Sequence, residues 1–398
     1  MQMLWVGCLE SDDEFKIKAG KGYDLASAQV SQKNLIKGLE EVGNFTFDTI
    51  NESVLPPYPI YQDKIIIPVS WEHAAGAVDV SVGYKNYKYI NRINSKNSMI
   101  LEAKRWIDER YKGEGLCIFV YSMRSAPMAT ACFIKKRIPL AKIYLIVTDL
   151  PKFMDLGQSK IKSLLKKVDW LSINRMKGKI DGFILYASKM AEYLKIPEKQ
   201  WVLMEGSYDV KDIVKKRNPR TLKAVMYSGK LDNQYGIPML IDAFCELRNP
   251  DVELWITGGG NAEEYVRQAA TNDKRIKFWG FLPSREDVIK LQNQAALLVN
   301  MRLPSEDASN YCFPSKLFEY MATGVPVISF KLGGIPNEYL PHLCIIEDEN
   351  KVCLRNTLEK WLGYDDAFLV KMGESAKEFI CREKNLNTQC RRILDFIS

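Results

Sequence analysis

The sequence predicts an α/β protein built of two doubly wound, Rossmann-like units that face a cleft, and three observations carry that prediction. Short apolar runs alternate with helical patterns along nearly the whole chain, as in parallel sheets covered on both faces. At 398 residues the chain exceeds what one ordinary core organises. The alternation breaks once, at the polar and proline-bearing KKRNPRT of Lys215–Thr221, and then restarts.

Taken in order, Leu4–Cys8 reads as a first strand, cut off by the polar Glu10–Glu14 run. Lys64–Val69, Leu116–Tyr121, Ile143–Thr148 and Gly182–Tyr186 are short runs rich in β-branched and aromatic residues, the mark of buried strands. Gln29–Val42, Ser98–Tyr111 and Ala126–Lys136 carry helical periodicity between them. Beyond the break come strand Ala224–Ser228, helix Pro238–Leu247, strand Glu253–Thr257, helix Glu263–Thr271, strand Ile276–Phe278 and helix Glu286–Gln292. Strand Ala296–Asn300, helix Ser315–Thr323, strand Val325–Phe330 and helix Val352–Leu362 complete the series. Asp366–Ile397 is helical and too long to belong to that sheet alone. The expected organisation is a first domain at 1–205, a second at 206–370 and a helical segment at 371–398 that packs back on the first, with the hinge near 201–220.

Composition narrows the function classes. With 46% hydrophobic and 26% charged residues the chain reads as soluble and globular. No apolar run approaches the roughly 18 residues of a spanning helix, and nothing resembles a signal peptide. Nine scattered cysteines without a Cys-x-x-Cys pair, and only two histidines, argue against a disulfide framework or a zinc site and fit a reducing cytoplasm.

Charge is uneven. Residues 1–200 hold 30 Lys+Arg against 22 Asp+Glu, a balance of +8, and the remainder hold 26 against 27, a balance of −1. Within the first half, Lys160–Lys179 carries seven basic residues and one acid, Asp169. Ile161, Leu164, Leu165, Val168 and Leu171 share one helical face, with Trp170 nearby. Two readings stay open: a helix lying on an anionic membrane surface, or a solvated helix packed on its own domain. No nucleic acid is expected as a partner.

The chemistry concentrates where strands of the second half end. In doubly wound sheets ligands bind beyond the carboxyl ends of the strands. Gly229 and Lys230 follow the first of them, Gly258–Gly260 the second, WGFLPS the third and Arg302 the fourth. FPSKLFEYMATGVPVISF, Phe313–Phe330, then places Ser315 at a helix start, with Lys316 and Glu319 in its first turns. A helix start and its free amides suit an anion. Lys230, Arg302 and Lys316 converge there on a diphosphate in this reading, and Glu319 suits a ribose diol. Each residue alone is a solvated lysine, an i, i+3 ion pair or a tight turn. Gly258–Gly260 is a weak fingerprint, since Glu263 stands where a third glycine belongs. Their coincidence at successive strand ends is what argues for a site. The acidic Ile345–Asn350 stretch reads as an exposed turn rather than a metal site.

At these residues the sequence resembles the GT-B glycosyltransferases, specifically the large retaining family four (group 1) of capsule and exopolysaccharide synthesis. NMRLPSEDASNYCFPSKLFEYMATGVPVI carries the most specific likeness. VTDLPKFM (147–154), DGFILYASKMAEYL (181–194) and WVLMEG (201–206) resemble the first-domain and hinge segments of that subgroup. The resemblance implies that Glu319 binds the donor ribose and Lys230 the donor diphosphate. It implies that the Phe281 and Leu282 backbone holds the base, and that Gly20 and Gly22 lie in a loop closing over the phosphates. Asp149 falls near the transferred sugar. The expected catalytic group is therefore Asp149, Lys230 and Lys316. Gly229, Gly258, Arg302, Tyr311, Ser315 and Leu317 line the donor with Glu319.

Two departures from the family pattern stand out. Tyr311 occupies the position of a first glutamate eight residues before the second, and Tyr235 replaces a basic residue before Gly236. Arg302 and Lys316 supply the missing charge. The implied activity is hexose transfer from a nucleotide-diphosphate sugar, a UDP-sugar favoured, to a saccharide acceptor, lipid-linked, with retention. No metal or further cofactor is implied. The implied location is cytoplasmic, peripheral at the inner face of the plasma membrane. Two rivals stay open: a nucleotide-sugar epimerase of the same fold, and a non-catalytic scaffold of a polysaccharide assembly.

Overall fold

A computed structural model describes residues 1–21, 26–153, 160–208 and 223–398. Gly22 and the polar stretch Lys215–Thr221 lie outside the described residues. The chain forms two compact units. One comprises Met1–Tyr186, Met190–Met204 and Cys390–Ser398, the other Ala187–Lys189 and Glu205–Gln389.

The first unit contains β1 (Gln2–Gly7), β2 (Phe47–Glu52), β3 (Ile65–Ile66), β4 (Val69–Trp71), β5 (Asp79–Val82), β6 (Tyr84–Lys85), β7 (Leu116–Tyr121), β8 (Lys142–Val147), β9 (Gly182–Leu185) and β10 (Trp201–Leu203). Eight of these make one sheet in the order β10-β9-β8-β7-β1-β2-β5-β4. All neighbours run parallel except β4, which is antiparallel to β5. β3 and β6 pair separately. The sheet is sandwiched between helices, so β1, β7 and β8 bury almost every residue. Trp5 stacks on Phe119 at 6.2 Å and meets Phe47 edge-on at 5.7 Å.

Two strands of this sheet bury charged and amide side chains. β2 reads FDTINE, and its Asp48, Asn51 and Glu52 are buried. Asp48 accepts from the Trp106 indole at 2.7 Å and the Val78 amide at 2.9 Å; Asn51 accepts from the Leu9 amide at 2.9 Å. Glu52 pairs with Arg124 at 3.1 Å. Burial of these groups is tolerated because partners replace the lost water. β5 follows the same rule through Asp79, which accepts from Thr49 at 2.7 Å. The expected strand Lys64–Val69 is two short ones, interrupted at Pro68, whose nitrogen donates nothing to a ladder.

The helix over Lys160–Lys177 forms as the sequence predicts. Among its described side chains Ile173 is buried and Trp170 approaches Tyr193 at 6.4 Å, whereas Val168 and Leu171 are exposed. Of the apolar face read from the periodicity, the two described side chains, Val168 and Leu171, do not pack. The side chains of Ile161, Leu164 and Leu165 lie outside the described residues. No described helix is long and apolar enough to cross a membrane.

The second unit contains β11 (Lys223–Ser228), β12 (Val252–Thr257), β13 (Ile276–Phe278), β14 (Leu297–Asn300), β15 (Val327–Phe330) and β16 (Cys344–Ile346). Their order is β13-β12-β11-β14-β15-β16, parallel throughout. This doubly wound order reverses between β11 and β14, and the crevice at that reversal is where such sheets bind ligands. In the first unit the order reverses between β1 and β7 in the same way.

The terminal helical stretch is two helices, Asp366–Glu383 and Leu386–Ile397, parted at Lys384. Lys384 is fully buried between the carboxylates of Glu205 and Glu338, with the Tyr339 ring 5.1 Å from its ammonium. Glu205 also accepts from the Tyr339 hydroxyl at 2.7 Å. Residues 371–389 belong to the second unit and 390–398 to the first. There Phe396 meets Tyr144 at 6.2 Å, and a Cβ at Gly182 would lie 2.8 Å from its ring.

Candidate functional site

Three loops of the second unit stack at the carboxyl end of its sheet. The Gly229 amide donates to the Thr257 carbonyl, and the Gly258 amide to the Gly280 carbonyl, both at 2.9 Å. Both glycines have positive φ, +154° and +138°. A Cβ at Gly258 would stand 1.7 Å from the Gly229 carbonyl oxygen, so side chains are excluded by backbone packing on backbone. A Cβ at Gly229 would stand 2.5 Å from Cε of Lys316 and 3.2 Å from its Nζ. The lysine thus lies directly across the first loop. Burial pushes the Lys316 ammonium down from the ordinary lysine value, with the Glu319 charge opposing. Among the described residues no hydrogen bond or ion pair engages Lys316.

Glu319 follows one turn later on helix Lys316–Ala322. Gln292, fully buried on helix Arg285–Gln294, donates its side-chain amide to Oε1 of Glu319 at 2.6 Å and to Oγ of Ser228 at 2.9 Å. The Tyr320 hydroxyl accepts from the Ser228 amide at 2.9 Å and lies 3.1 Å from its Oγ. Arg285 Nε is 3.9 Å from the other Glu319 oxygen. The carboxylate is 22% exposed, so it is anchored from below and open above.

Lys230 is largely exposed and pairs with Asp232 at 3.1 Å. Its ammonium stands 6.0 Å from the centre of the Tyr235 ring, and the Arg302 guanidinium 5.8 Å from the same ring. One aromatic ring therefore has both cations near it. Burial opposes ionisation of Asp232, but bonds from the Gln234 amide, Lys230 and Asn261 hold its carboxyl below the usual range. Arg302 also reaches the Cys312 carbonyl at 3.4 Å.

The remaining predicted residues fare differently. Leu317 is buried in the core of the second unit, so its side chain offers a ligand nothing. Its amide donates to the Pro314 carbonyl at 2.9 Å, and that of Phe318 to the Ser315 carbonyl at 3.2 Å. The tight turn therefore uses amides that the sequence reading assigned to an anion. Ser315 is exposed and makes no capping bond. Tyr311 ends the short turn Asp307–Asn310, half-buried. Phe281 is exposed and Leu282 half-buried after β13. In the first unit Asp149 is half-buried past the end of β8, where its charge acts on Tyr121 and Tyr186. Gly20 closes helix Asp12–Gly20. Of the acidic turn after β16, Glu349 accepts from the Ser305 amide at 2.6 Å.

Sequence reasoning missed Gln292, Tyr320 and Arg285. The available signal was Gln292 itself, a polar residue three positions after the buried Ile289, where the helical period calls for an apolar one.

Residues 223–362, which carry this site, match the family model described as "Glycosyl transferases group 1". No curated protein matches the sequence. Among solved structures the chain is similar to sucrose-phosphate synthase from Thermosynechococcus elongatus, with a TM-score of 0.67 at 15% identity, over 100% of this chain and 98% of that one. It is similar to the lipopolysaccharide outer core galactosyltransferase WaaB, with a TM-score of 0.66 at 12% identity, over 100% and 99%. HepE of Anabaena, solved in complex with UDP, gives a TM-score of 0.62 at 14% identity, over 100% and 99%. At such identities the likeness establishes the fold, and that fold is GT-B, two doubly wound units of the glycosyltransferase type.

Proposed function

We propose that this protein is a hexosyltransferase that takes its sugar from a nucleotide-diphosphate donor, a UDP-sugar favoured, and passes it to a hydroxyl of a saccharide. The carrying observation is Lys316 laid across Gly229 with Glu319 anchored by Gln292 one turn away. In this reading the Glu319 carboxylate accepts from both ribose hydroxyls, and Lys316, Lys230 and Arg302 meet the diphosphate. The Phe281 and Leu282 backbone takes the base. The bond from anomeric carbon to diphosphate oxygen breaks, leaving its electron pair on the phosphate, where the preorganised cations stabilise it. The acceptor oxygen bonds the anomeric carbon on the same face, and its proton passes to the departing phosphate, which retains configuration. No metal enters this scheme. The UDP bound to HepE supports the choice of base.

The acceptor in this reading is lipid-linked, in bacterial capsule or exopolysaccharide synthesis, and the protein works peripherally at the cytoplasmic face of the membrane. The excess of basic residues in the first half and the exposed Val168 and Leu171 of helix Lys160–Lys177 support that placement.

Calorimetric titration with UDP, GDP, ADP and dTDP tests the donor site. Selective binding of one nucleotide, lost in Glu319→Ala, is the expected result. Near-wild-type binding by that variant would remove the ribose assignment, and no binding to any nucleotide would favour the scaffold. Product formed from donor alone, without acceptor, would identify an epimerase.

A further inference from the structure

We propose that the first unit carries a second membrane-docking element, an exposed apolar face on Ile60, Ile65, Ile67, Tyr89, Ile90 and Ile93 that seats on an anionic lipid bilayer. The proposal does not rest on the transferase reading, and it is tested without any nucleotide. Of the three consecutive isoleucines 65–67, only Ile66 enters a core, a small one with Leu55, Tyr61 and Tyr84. Ile65 is 61% exposed and Ile67 74%. Pairing of β3 with β6 sets Lys85 opposite Ile65. A bridge between Tyr58 and Tyr87, with rings 6.2 Å apart, joins the turn bearing Ile60 to the segment that follows β6. That segment runs through exposed Tyr89 and Ile90 into helix Asn91–Arg110, where Ile93 is exposed one turn on. Its neighbour Arg92 reaches Asp169 at 3.7 Å, which links this face to helix Lys160–Lys177 and its exposed Val168 and Leu171.

Isolated exposed apolar side chains need no explanation. Here they are concentrated, and the charge around them decides the occupant. Between Asp79 and Glu102 every charged residue is basic: Lys85, Lys88, Arg92 and Lys96. The nearby acid Asp63 is paired with Lys21 at 2.7 Å, and Lys64 stands over the Tyr58 ring at 5.1 Å. A protein partner of mixed surface charge would be matched by a mixed rim. An apolar centre with tyrosines and a rim of net positive charge, whose acids Asp63 and Asp169 are each paired with a cation, matches the acyl boundary and anionic headgroups of a bilayer.

The test is co-sedimentation of the full chain with vesicles of phosphatidylcholine alone and of phosphatidylcholine mixed with phosphatidylglycerol, at low and high salt. Binding to the mixed vesicles only, weakened by salt, is expected. Lys85→Ser with Lys88→Ser should lower partitioning roughly thirtyfold. Ile65→Thr with Ile67→Thr and Ile93→Gln should abolish it, while circular dichroism and thermal midpoint stay unchanged, since these side chains project into solvent. No sedimentation of the wild type, or equal sedimentation of the isoleucine variant, overturns the proposal. A wild-type dimer in gel filtration that the isoleucine variant dissolves, without vesicle binding, would instead assign the face to a second copy of this chain.

Discussion

Gln292 turns Glu319 from a surface acid into a positioned one, because its amide holds one carboxylate oxygen at 2.6 Å and leaves the other toward solvent and Arg285. Glu319→Ala should cost nucleotide binding about 1.5–3 kcal/mol for each charge-assisted bond lost. Gln292→Leu should weaken it about fivefold by freeing the carboxylate, with a binding isotherm as the readout for both. Lys316 adds a pH dependence. Its ammonium is held below the ordinary value of 10.5 by burial, so it loses its proton earlier than a solvated lysine. Nucleotide affinity should therefore fall as pH rises toward 10.5, before a free lysine would titrate, and Lys316→Arg, which stays charged, should move that loss to higher pH. Lys316 and Glu319 were legible because they sit three residues apart beside a strong strand signal. Gln292 was not, because its role depends on a contact across 27 residues of chain.

Whole strands escaped the sequence for a related reason. β2 and β5 carry acids and amides into the first sheet, and only tertiary partners make such strands buriable. His73 belongs to that network, with Nδ1 2.7 Å from Asp79 and Nε2 3.0 Å from Glu40. Burial disfavours its charged form, yet the two carboxylates prevail and hold its pKa up at about 10, above the ordinary 6.5. Since the folded value is the raised one, its stabilisation is complete below 6.5 and disappears as pH climbs to about 10. The thermal midpoint of the first unit should fall across that window, and His73→Gln should flatten the slope. In the second unit the junction between the last two helices is the sensitive element. Lys384→Met leaves Glu205 buried without its cation and should destabilise that unit by about 3–5 kcal/mol in urea unfolding. The sequence showed this stretch as one continuous helical pattern, because a lysine at 384 is unremarkable until Glu205 and Glu338 close around it.

At the scale of the molecule, both sheets reverse their strand order beside their first strand, a repetition the alternating pattern announced without giving the order. The charge asymmetry, +8 over residues 1–200 and −1 over the rest, was fully legible, since it needs only counting. The ownership of the terminal residues was less so. Periodicity marks a helix but not which core receives it, and the last nine residues complete the first unit while the preceding ones serve the second. That division has a consequence for how the protein is made. Phe396 and its neighbours leave the ribosome only after the whole second unit has been synthesised. The first unit therefore waits through the synthesis of the second with Tyr144 and Gly182 uncovered, and the usual order of N-terminal folding first cannot finish there. The released chain truncated after Gln389 should bind an apolar dye at the first unit and resist protease in the second. The chain that includes residues 390–398 should not bind the dye.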